Sequence, residues 1–283
     1  RTMKETLGIF AFSCLSLLTA SAFAAAPAWL DTAVSAETAP TVEMRRHLHA
    51  NPELGNQEKQ TQAYIVQKLK EFGVDEVLVG YKNSPTAVIG VINPKKADAI
   101  GLRADIYALP IKKNTGLAFE SKAKGQMWGK TSDVSHMCGH DMHMAMLLSA
   151  ARILAAHKAD VPRKVVLVFQ PAEEGDSITN PFVTDNPKLS GARALVEDGL
   201  LEQFGIKQMY GIHVMARVPA GKMLVPQGTA LNSADAFQID IEGRQAHGAM
   251  PWTGVDATLT AAQTVVALQQ IVSRNVNLTQ GMG

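Results

Sequence analysis

The feature that most limits the fold of this chain is a continuous apolar run at residues 164–170, KVVLVFQ. Pro162 and Pro171 bound this run on its two sides. A half-exposed strand alternates apolar and polar residues, whereas a run without alternation is typical of a strand that is buried on both faces. Other elements must cover both faces of such a strand, so the run predicts a layered α/β fold.

The elements around this run alternate between strands and helices. Residues 86–92 and 99–104 are predicted strands joined by the turn-rich link NPKKAD, and we interpret them as a hairpin. Residues 208–214 are a further predicted strand. Apolar residues at helical spacing follow Asp141, and residues 41–73 predict two helices separated by a Pro-Glu-Leu-Gly break. The pattern therefore predicts an α/β domain with helices against a central sheet.

The pattern changes near Gly228. Residues 236–243, AFQIDIEG, alternate in polarity and predict a strand with one solvent-exposed face. A predicted helix follows from about Asp256 to Ser273. A lone strand and helix cannot bury their apolar faces. We therefore interpret residues 229–283 as the beginning of a second, smaller domain and expect the sequence to be a fragment of a longer protein.

Residues 1–24 have the pattern of a secretory signal peptide. Lys4 precedes an apolar run at residues 7–20, and Ala-Phe-Ala at 22–24 supplies a small-x-small cleavage site. The apolar run is short for a membrane span, and an uncleaved anchor is the alternative interpretation. The pattern predicts a periplasmic or secreted protein, with the Ala-, Thr- and Pro-rich residues 25–40 as a mobile leader.

Signal cleavage would remove Cys14 and leave Cys138 as the remaining cysteine. In an oxidising compartment a lone thiol has no partner for a disulfide. Coordination to a metal ion keeps a cysteine as thiolate and holds it in place. Cys138 is therefore a candidate metal ligand; a buried inert thiol and a Cys–His nucleophile are the alternatives.

The composition argues against nucleic acid as a partner. Hydrophobic residues make up 46% of the chain and charged residues 19%, which is typical of a globular protein with a core. The formal net charge is +1, and no basic patch stands out. After signal cleavage we expect no membrane association.

Side chains that can bind metal follow the predicted strands at the points where those strands end, or precede the helix after Asp141. They are Asp105, Cys138, His140, Glu173, Glu174 and His213. In open α/β sheets the ligand crevice lies beyond the carboxyl ends of the strands, so we expect these residues to gather at one edge. Sulfur, nitrogen and oxygen together are a ligand set that zinc accepts. The alternative is that each is an ordinary polar surface residue.

The adjacent residues Glu173 and Glu174 point to hydrolytic chemistry. Two neighbouring carboxylates repel each other unless a cation lies between them. Side chains of consecutive residues after a strand point in different directions. One carboxylate can therefore bind a metal ion while the other removes a proton from water.

Six segments of the chain occur in the order found in a known family. They are RRHLHANPELGNQE, GLRADIYALPI, HMCGHDMHMAMLLSAARIL, VVLVFQPAEEG, GIHV and GRQAHGAMPWTGVDAT. They resemble the amidohydrolase branch of the dinuclear-metal carboxypeptidase and aminoacylase family, which includes hippurate hydrolase, N-acyl-amino-acid hydrolases and indole-acetyl-amino-acid hydrolases. The resemblance covers residues 41–275, and Cys-Gly-His-Asp-x-His with Gln-Pro-Ala-Glu-Glu-Gly is specific to it.

The resemblance implies a fold with two domains. Residues 41–228 would form a zinc-peptidase-like catalytic domain, in which helices flank a mixed central sheet. Residues 229–283 would begin an inserted α+β, ferredoxin-like lid and dimerisation domain. A homodimer through this lid domain is therefore expected.

The resemblance also implies roles for the candidate residues. Cys138 would bridge two divalent metal ions, zinc or manganese, as a thiolate, with further ligands at His140, Glu174 and His213. Glu173 would be the general base. His247 would reach across the dimer to the substrate carbonyl oxygen in the partner's site. Asp105 would support the metal centre and Asp141 would orient a ligand, whereas His136 and His143 receive no role.

The implied activity is metal-dependent hydrolysis of an N-acyl or N-aroyl amino acid to a carboxylic acid and an amino acid. A dipeptidase or carboxypeptidase with the same site, or an inactive metal-binding fragment, is the alternative. The chain departs from the family pattern at Tyr107, where the family has a second Asp. The family also continues beyond residue 283 with one more metal-binding His, so we expect the fragment alone to be inactive.

Overall fold

The computed structural model describes residues 26–184, 190–228, 230–231 and 236–275. Its α-helices are α1 (Leu30–Ala36), α2 (Thr38–Ala50), α3 (Lys59–Glu71), α4 (His140–Ala156), α5 (Gly191–Glu197), α6 (Leu200–Phe204) and α7 (Ala257–Gln270). Its strands are β1 (Glu76–Tyr81), β2 (Ser84–Ile92), β3 (Ala99–Asp105), β4 (Lys124–Met127), β5 (Lys130–Asp133), β6 (Lys164–Gln170) and β7 (Ile206–Gly211). A 3₁₀ turn at Pro251–Thr253 precedes α7, and a π-helical turn at Ile271–Asn275 follows it.

Five strands form a mixed sheet in the order β1-β2-β6-β3-β7. β2 is antiparallel to both β1 and β6, whereas β3 is parallel to both β6 and β7. Leu167 of β6 lies opposite Gly90 on one side and Leu102 on the other. The predicted mixed central sheet flanked by helices is confirmed, and β6 is its middle strand.

Both faces of β6 are covered, as its apolar run predicts. Val165, Leu167 and Phe169 pack in one core with residues of α2, α3 and α4. Val166 and Val168 pack in a second core with residues of α5 and α6. None of the five side chains is more than 2% exposed. Burying each one contributes about 1.5–3 kcal/mol, so β6 anchors both layers.

The predicted hairpin between residues 86–92 and 99–104 is wrong, because β6 lies between β2 and β3. The link between them instead passes the start of β6, where Lys164 N donates to Asp98 O at 2.9 Å. β2 forms its hairpin with β1, a strand that the sequence did not predict. Among the residues of β1 only Tyr81 is buried, so this strand lacks the apolar pattern that marks β2 and β6.

Residues 26–40 do not form the mobile leader that their composition predicts. They contain α1 and the beginning of α2. The Trp29 ring stacks on His157 with the ring centroids 3.9 Å apart, and Glu37 Oε1 lies 2.6 Å from Arg152 Nε. These two contacts attach the segment to α4 and the turn after it. The predicted signal peptide at residues 1–24 lies outside the described residues.

The described part of the second predicted domain differs from its pattern. Residues 236–243 form no strand, and the prediction of one there is wrong. A strand needs a neighbour for its backbone hydrogen bonds, and the pairing described nearby is an isolated bridge between Arg244 and Val255. The predicted helix is confirmed as α7, whose first turn is capped by Asp256 Oδ1 accepting from Leu259 N at 2.9 Å.

Two further points complete the fold. The predicted strand at residues 208–214 is observed as β7, which begins earlier, ends at Gly211 and lies at the sheet edge. The mostly polar strands β4 and β5 form a separate hairpin that the sequence did not predict. Within the described ranges no helix combines the length and the hydrophobicity that crossing a membrane requires.

Candidate metal centre

The carboxyl ends of three parallel strands meet at one edge of the sheet. Asp105 is the last residue of β3, the adjacent residues Glu173 and Glu174 lie in the loop after β6, and His213 follows the end of β7. Because β3 is parallel to β6 and β7, all four side chains emerge at this edge.

Gly139 brings Cys138 and His140 to the same edge. Its φ angle of +97° lies in the left-handed region, which glycine adopts without strain. A Cβ atom at this position would also collide with the side chain of Val214. The turn before α4 can therefore lie close to the segment after β7 only with glycine at position 139.

The predicted ligands form one cluster. Cys138 Sγ lies 3.4 Å from His213 Nε2, and His140 Nε2 lies 3.7 Å from Glu174 Oε1. The donor atoms of Cys138, His140 and Glu174 all lie within 4.8 Å of one another. The structure thus brings together the four residues that the resemblance implies as metal ligands.

Backbone carbonyls orient both imidazole rings of the cluster. His140 Nδ1 lies 2.7 Å from Tyr107 O, and His213 Nδ1 lies 2.7 Å from Val214 O. A carbonyl oxygen can only accept, so Nδ1 carries the proton in each ring. The unprotonated Nε2 atoms therefore face the cluster, as metal ligation requires.

Two buried polar atoms in the cluster lack hydrogen-bond partners among the described residues. They are Asp105 Oδ2 and His140 Nε2, which lie 3.7 Å apart on side chains that are each 1% exposed. Arg103 Nη1 lies 3.1 Å from Asp105 Oδ2 but outside hydrogen-bond geometry. Leaving buried polar atoms unpaired costs about 1–3 kcal/mol each, and a divalent cation bound here would remove that cost.

Asp105 is held in its charged form. Burial alone would raise its pKa, but the hydrogen bond from His143 and the charge of Arg103 lower the pKa to about 2. His143 Nδ1 lies 2.7 Å from Asp105 Oδ1, and His143 Nε2 accepts from Val214 N at 2.9 Å. Both ring nitrogens of His143 are therefore engaged, so His143 positions Asp105 and Val214.

The cluster is rich in negative charge. Burial, and then the carboxylates of Glu174, Asp105 and Glu173, raise the pKa of the Cys138 thiol to about 12. A thiol in these surroundings keeps its proton unless a cation offsets the carboxylates. The donor set and the unpaired atoms therefore fit a pair of divalent metal ions.

Tyr107 connects the two glutamates. Its hydroxyl accepts from Glu174 N at 2.9 Å and donates to Glu173 Oε2 at 3.4 Å. The side chain is buried, and burial together with the neighbouring carboxylates raises the pKa of the phenol. Tyr107 therefore stays protonated and presents a neutral donor to Glu173.

Asp141 lies outside this cluster. Its Oδ2 atom lies 2.7 Å from His49 Nδ1 and 2.8 Å from Arg45 Nε, and it is buried. Asp141 thus links the start of α4 to α2, and its described partners do not include the predicted ligands. No pattern in the sequence marks a role for Arg45 and His49, although both lie in the segment RRHLHANPELGNQE.

The remaining candidate histidines differ in their surroundings. His136 is buried, and burial lowers its pKa to about 3, so the ring is neutral. His247 is exposed, and its Nδ1 accepts from Ala249 N at 3.1 Å. Within the described part of the chain, no hydrogen bond, ion pair or ring contact joins His247 to the cluster.

The mixed sheet, with thiol, imidazole and carboxylate donors at its carboxyl edge, defines an α/β protein with a metal-binding site. Comparison with known families agrees with this class. The sequence model of peptidase family M20/M25/M40 matches residues 101–283, more than half of the chain. The chain belongs to this family.

Three known proteins illustrate the relationship. N-acetyl-L-cysteine deacetylase of Bacillus subtilis strain 168 is 40% identical over 239 residues, which are 84% of this chain and 51% of that protein. Hippurate hydrolase of Campylobacter jejuni is 39% identical over 236 residues, 83% of this chain and 55% of that protein. The chain spans about half the length of the curated relatives it matches.

The third protein is a solved structure. The Bacillus subtilis YXEP protein, described as a dinuclear metal-binding peptidase of the M20 family, superposes with a TM-score of 0.53 at 34% identity. The match covers 66% of this chain and 45% of that protein. A dinuclear centre in this relative agrees with the metal-binding groups found here.

Proposed function

We propose that the protein to which this chain belongs hydrolyses the amide bond of N-acyl amino acids and releases a carboxylic acid and an amino acid. The observation that carries the proposal is that the two adjacent carboxylates, Glu173 and Glu174, face different partners. Glu174 Oε1 faces His140 Nε2 at 3.7 Å, whereas Glu173 Oε2 accepts from the Tyr107 hydroxyl. The names of the two relatives, a deacetylase of N-acetyl-cysteine and a hydrolase of hippurate, describe the same reaction on two substrates.

Cys138, His140, Glu174 and His213 would hold two divalent metal ions, with zinc or manganese as the proposed metals. When bound, such ions polarise a scissile carbonyl and lower the pKa of water from about 15.7 towards about 7. Cys138 would hold the ions as a thiolate together with the others, because its sulfur lies close to imidazole and carboxylate donors.

Glu173 moves the proton in this proposal. Its carboxylate is adjacent to the ligand Glu174 in the chain but is directed to Tyr107. It would accept a proton from the attacking water and deliver it to the leaving nitrogen. The hydrogen bond from Tyr107 would hold one carboxylate oxygen and leave the other free for the proton.

An apolar cavity beside the cluster would receive the acyl group. Its volume is about 320 Å³, and it is bordered by Tyr107 and Glu174 on the side of the cluster. The apolar part of the wall comes from Leu54, Leu109, Met127, Trp128 and Phe182. Trp128 and Phe182 stand edge to face with their centroids 6.3 Å apart, so an aromatic acyl group would find aromatic partners.

Three further parts of the proposal rest on the sequence. Residues 41–228 and 229–283 would belong to a catalytic domain and a lid domain, and the lid would form a homodimer. His247 would then stabilise the oxyanion in the partner's site, in keeping with its exposed position here. The signal-like pattern at residues 1–24 supports a periplasmic or secreted location.

The proposal is tested by assaying the protein that contains this chain on N-acetyl and N-benzoyl amino acids beside a panel of dipeptides. We expect hydrolysis of the N-acyl amino acids, its loss on chelation and its return when metal is restored. Faster cleavage of dipeptides would favour the peptidase alternative, to which the family name also points. Bound metal without any turnover would indicate a non-catalytic metal-binding protein.

A further inference from the structure

The segment 53–58, here called the brace, packs against residues 171–177, here called the glutamate loop. Gly55 O accepts from Ser177 N at 3.3 Å, and Gln57 Nε2 donates to Ser177 Oγ at 2.6 Å. A Cβ atom at Gly55 would collide with Gly175 O, so glycine is needed for this close approach. The brace belongs to a segment that resembles the family but that the mechanism does not use.

Glu58 makes the innermost contact of the brace. Its side chain is 0% exposed. Oε1 accepts from Ala172 N at 3.1 Å and Oε2 accepts from Thr86 Oγ1 at 2.7 Å. Among the described residues no lysine, arginine or histidine forms an ion pair with it. A buried acid without a cation is costly, and its hydrogen bonds are what offset the cost.

Ala172 is a strained position in the glutamate loop. Its φ angle of +46° lies in the left-handed region, which costs a residue with a side chain about 1–2 kcal/mol. The residue directly precedes Glu173 and Glu174, so its backbone conformation decides where both carboxylates point. The hydrogen bond from Ala172 N to Glu58 Oε1 holds this conformation.

We propose that Glu58 is a positioning residue, whose buried carboxylate fixes the backbone at Ala172 so that Glu173 and Glu174 face the metal cluster. This inference rests on the proposed function for the roles of the two glutamates. The carboxylate of Glu58 itself touches neither substrate nor metal. It acts on the glutamate loop through the backbone N–H of Ala172.

Two substitutions of Glu58 test the length of its side chain and its charge separately. Glu58→Gln keeps an oxygen at the same reach for Ala172 N, and the Thr86 hydroxyl can accept from the amide nitrogen. Glu58→Asp keeps the charge but withdraws the carboxylate by one methylene. Glu53→Gln is the matched control, because Glu53 lies in the same segment but accepts from Gln60 N and Thr61 N.

The test titrates the metal-free form of the protein that contains this chain, and its variants, with Co²⁺. The thiolate-to-cobalt charge-transfer absorption reports ligation by Cys138, and the visible bands report the geometry of the site. We expect Glu58→Asp to weaken Co²⁺ binding by about 10–100-fold and to alter the visible bands, as loss of a residue behind a ligand does. Glu58→Gln and Glu53→Gln should bind within about threefold of the wild type, well short of that loss.

Equal weakening in Glu58→Gln and Glu58→Asp, or unchanged binding in Glu58→Asp, would overturn the inference. Thermal unfolding of each variant without metal shows whether the fold is intact. If Glu58→Asp does not fold, the Co²⁺ affinity of Glu58→Gln decides the question. A wild-type-like affinity supports the inference, and a weakened affinity overturns it. Failure of the proposed function gives a different result, since the wild type would then bind Co²⁺ without hydrolysing N-acyl amino acids.

Discussion

The hydroxyl of Tyr107 donates a hydrogen bond to Glu173 at 3.4 Å. Tyr107 occupies the position where the resemblance predicts a second Asp. A carboxylate there would add negative charge beside Glu173 and Glu174, whereas the phenol stays neutral because burial raises its pKa. The chain therefore keeps a hydrogen bond to the proposed base while reducing the charge around it.

Removing this hydroxyl should slow turnover modestly. The hydrogen bond is long, so we expect Tyr107→Phe to lower kcat by about fivefold, which corresponds to about 1 kcal/mol, with little change in KM. Tyr81→Phe is a matched control, because the Tyr81 hydroxyl donates to Gln203 Oε1 at 2.8 Å, away from the cluster. Equal losses of kcat in Tyr107→Phe and Tyr81→Phe would contradict a specific role for Tyr107.

The burial of Glu58 should make stability depend on pH. Burial raises its pKa from 4.5 to about 7. Below pH 4.5 the carboxyl is protonated in both the folded and the unfolded chain. As the pH rises towards 7 the unfolded chain loses this proton first, so the contribution of Glu58 to the free energy of unfolding falls by up to about 3 kcal/mol.

Urea unfolding of the metal-free wild type and Glu58→Gln at pH 5 and pH 8 measures this effect. Between pH 5 and pH 8 we expect the free energy of unfolding of the wild type to fall by about 2–3 kcal/mol more than that of Glu58→Gln. Parallel changes in both proteins would show that Glu58 titrates alike in the folded and unfolded chains.

Replacing Gly139 should disturb the cluster beyond the cost of backbone strain. Gly139→Ala and Gly73→Ala both place a side chain at a positive φ, +97° and +76° respectively. A Cβ atom meets nothing within 4 Å at Gly73 but collides with Val214 at Gly139. We expect Gly73→Ala to lose about 1 kcal/mol of stability and Gly139→Ala to lose more. Only Gly139→Ala should weaken Co²⁺ binding, by at least about tenfold.

Trp128 should contribute to the proposed binding of aromatic acyl groups. It forms part of the apolar cavity wall and is held by its Nε1 donating to Asp176 O at 2.9 Å. We expect Trp128→Ala to raise KM for an N-benzoyl amino acid by about tenfold and to leave an N-acetyl substrate nearly unchanged. Trp29→Ala is the control, because Trp29 packs on His157 instead. Equal changes in KM for both substrates would indicate that the acyl group does not bind against Trp128.

The sequence predicted those parts of the fold that local pattern decides. The unbroken apolar run of β6 marks a strand buried on both faces, and the helical spacing after Asp141 marks α4. The order of the strands is decided by contacts distant in sequence, which is why β2 and β3 were joined wrongly. The strand β1 was missed because its side chains are mostly not buried.

In the site, too, local pattern predicts some residues, whereas contacts distant in sequence decide the others. Strand ends and residue types select six candidates, among them Cys138, His140, Glu174 and His213. The resemblance distinguishes these four as metal ligands, and the structure brings them together. The supporting contact of Glu58 with Ala172 joins residues 114 positions apart, and no local pattern marks it. The strained backbone at Ala172 is likewise not visible in the sequence, because alanine ordinarily avoids that conformation.

The central claim is that Glu174 binds metal while Glu173 moves the proton, and a pair of matched substitutions tests it most directly. Metal content and turnover are measured together for Glu173→Gln and Glu174→Gln in the protein that contains this chain. We expect Glu173→Gln to keep its metal and lose about two to four orders of magnitude in kcat, and Glu174→Gln to lose metal as well. Wild-type turnover in Glu173→Gln, or full metal content in Glu174→Gln, would contradict the account.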